Sequence, residues 1–108
     1  MYININGIDW NVVRVNPYNI NLFNNDGTLT IGMTDTYLRT IFINDKLKGQ
    51  LLRKVLIHEL VHAWIFSYGI ILTKQQEEFM CDFIATNSDD ILNKADELIC
   101  NTYFRVAL

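Results

Sequence analysis

The stretch VLIHELVHAW, residues 55–64, sets two histidines and a glutamate among apolar neighbours. On a helix, His58 and His62 stand four residues apart, so both imidazoles share one face about one turn from each other. Two nitrogen donors can then converge on one ion. Glu59 lies at the rim of that face, where a carboxylate reaches a metal-held water without itself binding the metal. This is the division of labour of an H-E-x-x-H site, with His58 and His62 as zinc ligands and Glu59 as general base. They are also the only two histidines in the chain. Left unpaired inside an apolar helix, two imidazoles and a carboxylate would cost several kcal/mol. Core histidines satisfied by hydrogen bonds would need three separate solutions along one helix, whereas a single Zn²⁺ serves all three.

A tetrahedral catalytic zinc takes a third protein ligand and keeps one position open. With no histidine left, that ligand must be a carboxylate or a cysteine. The segment QQEEFMCDFIA, residues 75–85, offers Glu78 and Asp82 at i and i+4. Glu78 as third metal ligand and Asp82 as acceptor of a ligating histidine's free N–H is the preferred reading, because such an acceptor fixes the tautomer. Glu77 is the rival ligand, with Cys81 one turn on as its poorer companion.

The elements that must carry these residues are legible in outline. From Tyr2 to Val15, apolar residues recur at strand spacing around Asn6-Gly7, a strong hairpin signal. Residues 16–28 hold the single proline and a second turn at Asp26-Gly27, which predicts a loop or hairpin connection. Strands are expected in TLTIGMTD and RTIFIND. From about Lys46 to Tyr68 apolar residues crowd almost every side of the helical wheel, predicting a buried central helix stopped by Gly69. A second helix opens at Thr73, which forms a capping box with Gln76, and runs to about Thr86. Ser88 reads as the cap of a third helix bearing Ile91, Leu92, Ala95, Leu98, Ile99 and Thr102 on one face.

The 108 residues fit one domain spanning 1–108, and with 50% hydrophobic and 19% charged residues the chain can bury a continuous core. The formal charge of −3, without a Lys/Arg cluster, argues against nucleic acid as a partner. No apolar run approaches a membrane span and the N-terminus lacks signal-peptide character, so a cytoplasmic protein without a membrane partner is expected. Cys81 and Cys100 are too few for a disulfide framework and read as reduced thiols.

HELVH, followed sixteen residues after its second histidine by EFMCD, resembles the gluzincin pattern H-E-x-x-H…E-x-x-x-D. The opening H-E-L-x-H-A and the downstream EEFMCDFIA are similar to small ImmA/IrrE-type and phage-encoded zinc peptidases. The resemblance is specific over residues 55–85 and loose elsewhere, and Phe79 and Cys81 depart from the small residues or Asn usual there. It implies a compact α+β zincin fold: a small twisted N-terminal sheet, then three helices including the active-site helix and a glutamate helix. The activity implied is that of a zinc metalloendopeptidase acting on a peptide or protein substrate, with Glu59 deprotonating the metal-bound water. TIFIND, just before the active-site helix, is the strand expected to hold an extended substrate by edge pairing. Tyr37, Tyr68, Tyr103 and Arg105 are unranked candidates for an oxyanion donor. The alternative is a zincin scaffold used as a binding or regulatory module that keeps its zinc and cleaves nothing, for which the small size leaves room.

Overall fold

The structure is a computed structural model and describes residues 1–107. Its first half is a four-stranded mixed sheet: β1 (Tyr2–Ile5), β2 (Ile8–Val15), β3 (Gly32–Asp35) and β4 (Thr40–Asn44), in the order β1-β2-β4-β3. The Asn6-Gly7 turn closes the β1–β2 hairpin with both residues at positive φ, 50° and 84°, and so sets Ile5 opposite Ile8. A short 3-10 turn at Ile20–Leu22 lies against β4 and buries Leu22 completely. The expected Asp26-Gly27 turn is present, with Gly27 at φ 84° and Asn24 and Thr28 joined across it.

β4 pairs with β2 in parallel and with β3 antiparallel, so TIFIND is an interior strand. Both of its edges are taken up by neighbours, and the expected substrate pairing on it is ruled out. The free edge on that side of the sheet belongs to β3, residues GMTD. The strand expected over TLTIGMTD is confined to those four residues.

One sheet face packs on helix α1 (Gly49–Ser67), with Ile5, Trp10, Ile41, Ile43, Leu47 and Ala63 forming the core. Trp10 also donates its indole N–H to Ser67 Oγ at 2.8 Å, which fastens the end of α1 to β2. Gly69, at φ 65°, ends the helix as expected: its N–H reaches Phe66 O and the next N–H reaches Ile65 O, both at 3.0 Å. The expectation of a helix buried on nearly every side is not met. The sheet covers one flank and the following helix another, while Leu51 and Trp64 stay about half exposed and Phe66 lies partly open against Trp10 and Arg39.

Thr73 and Gln76 form the expected capping box at the start of α2. The break expected at Ser88 does not occur. α2 runs unbroken over Lys74–Cys100, and only a short α3 (Thr102–Ala107) follows. The reason is the continuous apolar face: Ile84 and Ser88 both remain partly buried, so the tertiary face carries through a polar stretch whose local preference is to stop. Among the described residues, no helix is long and apolar enough to cross a membrane.

Candidate metal centre

α1 and α2 pack side by side, and the histidine face of the first meets the acidic first turns of the second. His58 Nε2 lies 3.3 Å from Glu78 Oε2, and His62 Nε2 lies 3.0 Å from Glu78 Oε1. The far side of each ring is held as well. His58 Nδ1 lies 2.8 Å from Asp82 Oδ1, and His62 Nδ1 is hydrogen-bonded to Glu77 Oε2 at 2.5 Å. With a hydrogen on each Nδ1, both Nε2 lone pairs face the Glu78 carboxylate. Lone pairs set against carboxylate oxygens repel unless a cation lies among them or each ring takes a second proton. His58, His62 and Glu78 are therefore a set that could hold a metal ion, and their two-nitrogen, one-carboxylate chemistry fits one.

The structure brings together all five residues singled out in the sequence: His58, Glu59, His62, Glu78 and Asp82. Glu77 is at the site too, but against the outer nitrogen of His62, which makes it the counterpart of Asp82. From the sequence it is only a rival for the place of Glu78. Its signal was available, since positions 77, 78 and 82 can face two rings one turn apart, but the i, i+4 rule favoured Asp82 alone.

Cys81 is fully buried, and its sulfur lies within 4.8 Å of donor nitrogens of both histidines. Burial, with Glu78, Glu77, Glu59 and Asp82 around it, pushes the thiol up to about 12. The neutral thiol is a weaker donor than the neighbouring carboxylate. Asp82 likewise belongs to a group with His58 and Glu78 whose ligand atoms lie within 4.8 Å of one another, but its Oδ1 lies 2.8 Å from Nδ1 of His58, the nitrogen turned away from Glu78.

Glu59 is 7% exposed and stands apart from that cluster, its Oε2 4.0 Å from His58 Nε2. Burial raises its carboxyl above the usual range; the Thr34 hydrogen bond and the two histidines oppose this, and Glu78 adds to it. The Thr34 hydroxyl lies 2.9 Å from Glu59 Oε1 and 3.0 Å from the Glu59 carbonyl, so its one proton is shared between them. Gly32, two residues earlier on β3, makes room for the side chain. A Cβ there would stand 3.1 Å from both Glu59 Cγ and Oε2, and 2.8 Å from Val55 Cγ1. Thr34 and Gly32 escaped the sequence reading. A glycine inside a strand is a sign of close approach, but nothing in GMTD says what approaches.

Around these groups lies a cleft of about 690 Å³, lined on one side by Gly32, Met33 and Thr34 of β3 and on the other by His58, Glu59, His62, Glu77 and Glu78. Asn24–Asp26, Thr30, Thr36 and Lys74 line the remainder of its wall. None of Tyr37, Tyr68, Tyr103 and Arg105 is among the lining residues. Every buried side-chain polar atom among the described residues has a partner. No protein-family model matches the chain, and no match was found among the curated proteins or the solved structures. The class defined by fold and site is thus an α+β domain with a histidine–carboxylate cluster between two helices.

Proposed function

We propose that the chain is a zinc-dependent metallopeptidase, with His58, His62 and Glu78 as the residues that would hold the ion. The observation that carries this reading is the division of carboxylates: one faces both inner nitrogens, two hold the outer nitrogens, and a fourth is kept apart. A merely structural site has no use for that fourth carboxylate. Bound there, zinc would supply a Lewis acid that polarises a carbonyl and acidifies water near neutral pH.

The chain's own residues supply the rest. Asp82 and Glu77 keep the proton on each Nδ1 and so leave each Nε2 free to donate. Glu59 takes up a proton at its carboxylate and returns it to the departing amine, and burial tunes it for both tasks by raising its proton affinity. Thr34 and the space above Gly32 keep that carboxylate in one orientation. The open edge of β3, which lines the cleft, offers unpaired backbone groups to an extended peptide. Such pairing reads the backbone and selects weakly among side chains.

The test is a peptide library and an unfolded protein offered to zinc-loaded chain. Cleavage that stops with a chelator and returns with zinc is the expected result. Zinc uptake without any cleavage, together with specific retention of a peptide or protein, would replace the peptidase reading by that of a zinc-bearing binding module.

A further inference from the structure

Cys81 sits where α1 and α2 meet, and the fold makes no polar use of its sulfur. The side chain is fully buried and free of any disulfide, and among the described residues no hydrogen bond engages its Sγ. A cysteine that serves only as a small apolar residue has apolar neighbours. This one is surrounded otherwise. Glu78, Glu77, Glu59 and Asp82 stand around it, and its Sγ lies within 4.8 Å of a donor nitrogen of His58 and of one of His62, which lie equally close to each other.

A second ligand set therefore overlaps the first. The two histidines are common to both; Glu78 completes one, and Cys81, three residues on and so on the same face of α2, completes the other. Across a tetrahedral ion, nitrogen and sulfur donors stand roughly 3.5 Å apart. The group has only to draw in slightly, within the reach of side-chain rotation. The two donors that α2 supplies differ in kind, because a carboxylate suits hard ions and a thiolate selects soft ones. A thiol shut away from water keeps its proton unless the ion bonds sulfur strongly. Zinc, already served by Glu78, leaves Cys81 as a thiol; an ion with a stronger preference for sulfur does not.

We propose that the centre is also a site for a thiophilic divalent ion, cadmium being the simplest case, held by His58, His62 and Cys81 with Glu78 beside them as the fourth donor. The S–H bond breaks as the S–metal bond forms, its electron pair stays on sulfur, and the proton leaves to solvent. No oxidation is involved. Four protein donors fill a tetrahedral shell and leave no position for water. The same centre is thus open when it holds zinc and closed when it holds the softer ion, so a thiophilic ion shuts the chain in a form that cannot activate water. The inference rests on the metal centre of the peptidase reading and not on peptide cleavage.

Cadmium titration of the Cys100→Ser chain, which lacks the exposed thiol, should raise a sulfur-to-cadmium absorption band in the ultraviolet that saturates at one ion per chain. Cys81→Ala in that background should abolish the band and lower cadmium affinity about tenfold or more, while zinc affinity stays within about threefold. The cadmium NMR resonance of the chain with Cys81 intact reads the same ligand without altering the core. Sulfur should move it far downfield of the range of sites built from nitrogen and oxygen alone. A resonance inside that range, a band that survives Cys81→Ala, or equal losses of zinc and cadmium affinity in that variant would each overturn the proposal and leave the zinc site standing. A chain that binds neither ion would overturn it together with the peptidase reading.

Discussion

Single side chains decide most of what this site can do. Each outer nitrogen of the histidine pair faces a carboxylate, so Glu77→Ala and Asp82→Asn should each lower zinc affinity by roughly 10–100-fold. Glu78→Ala, which removes the carboxylate facing both inner nitrogens, should lower it further than either. Isothermal titration of the three variants checks this order, and equal losses for all three would remove Glu78 from its assigned place. The cysteines differ as sharply. Cys81 is buried with a thiol pushed up to about 12, whereas Cys100 is exposed. At pH 8 the first stays a protonated thiol shut away from solvent, so a thiol reagent should mark only Cys100 in the folded protein. Peptide mass mapping gives the answer, and comparable labelling of Cys81 under native conditions would mean that the α1–α2 seam opens readily. The histidine pair, Glu59, Glu78 and Asp82 were legible because a helix converts sequence spacing into direction. Thr34, Gly32 and the place of Glu77 were not, because they depend on which strand and which helix face arrive opposite, and no local spacing carries that.

Among the elements, Glu59, the proposed general base, depends on a strand as much as on its own helix. Gly32→Ala would push a methyl group into Val55 and Glu59, at a cost of about 1–3 kcal/mol typical of overpacking. Thermal melts should show that loss, while zinc titration should stay near wild type because no ligand touches Gly32. A Gly32→Ala variant as stable and as active as wild type would mean that the approach of β3 to Glu59 is slack. The tie between α1 and the sheet is open to a similar test. Ser67→Ala leaves the buried Trp10 N–H without its acceptor, which should destabilise the fold by about 1–3 kcal/mol, readable in denaturant titration. Local signals identified the Asn6-Gly7 hairpin, the Thr73 capping box and the Gly69 stop, because each is a property of a few consecutive residues. They failed at Ser88, where a good capping residue sits within an apolar face long enough to override it. They failed again at TIFIND, since strand order in a sheet is settled by long-range pairing that a run of β-branched residues cannot announce.

For the molecule as a whole, the proposed ion bridges two helices that already meet through the Arg53–Asp89 pair and around the buried Cys81. A ligand that binds only the folded chain adds stability by mass action, about 2.7 kcal/mol at a hundredfold excess over its dissociation constant. Chelation should accordingly lower Tm by several degrees in a domain of this size, and identical melts with and without chelator on metal-loaded protein would contradict a bridging site. The order of strands then helices was legible. The unbroken run of α2 to Cys100 was not, because an amphipathic pattern states that a face will be covered without stating by what. In the proposed chemistry Glu59 moves protons and binds no metal, and zinc content and peptide hydrolysis measured side by side for wild type and Glu59→Gln test this. Glutamine keeps the shape and can still accept from Thr34, but it has no carboxylate to take a proton. Zinc should bind one per chain in both proteins, and hydrolysis should fall by about 10²–10⁴-fold in the variant. A variant that hydrolyses within a few-fold of wild type, or one that loses its zinc along with its activity, would contradict the claim.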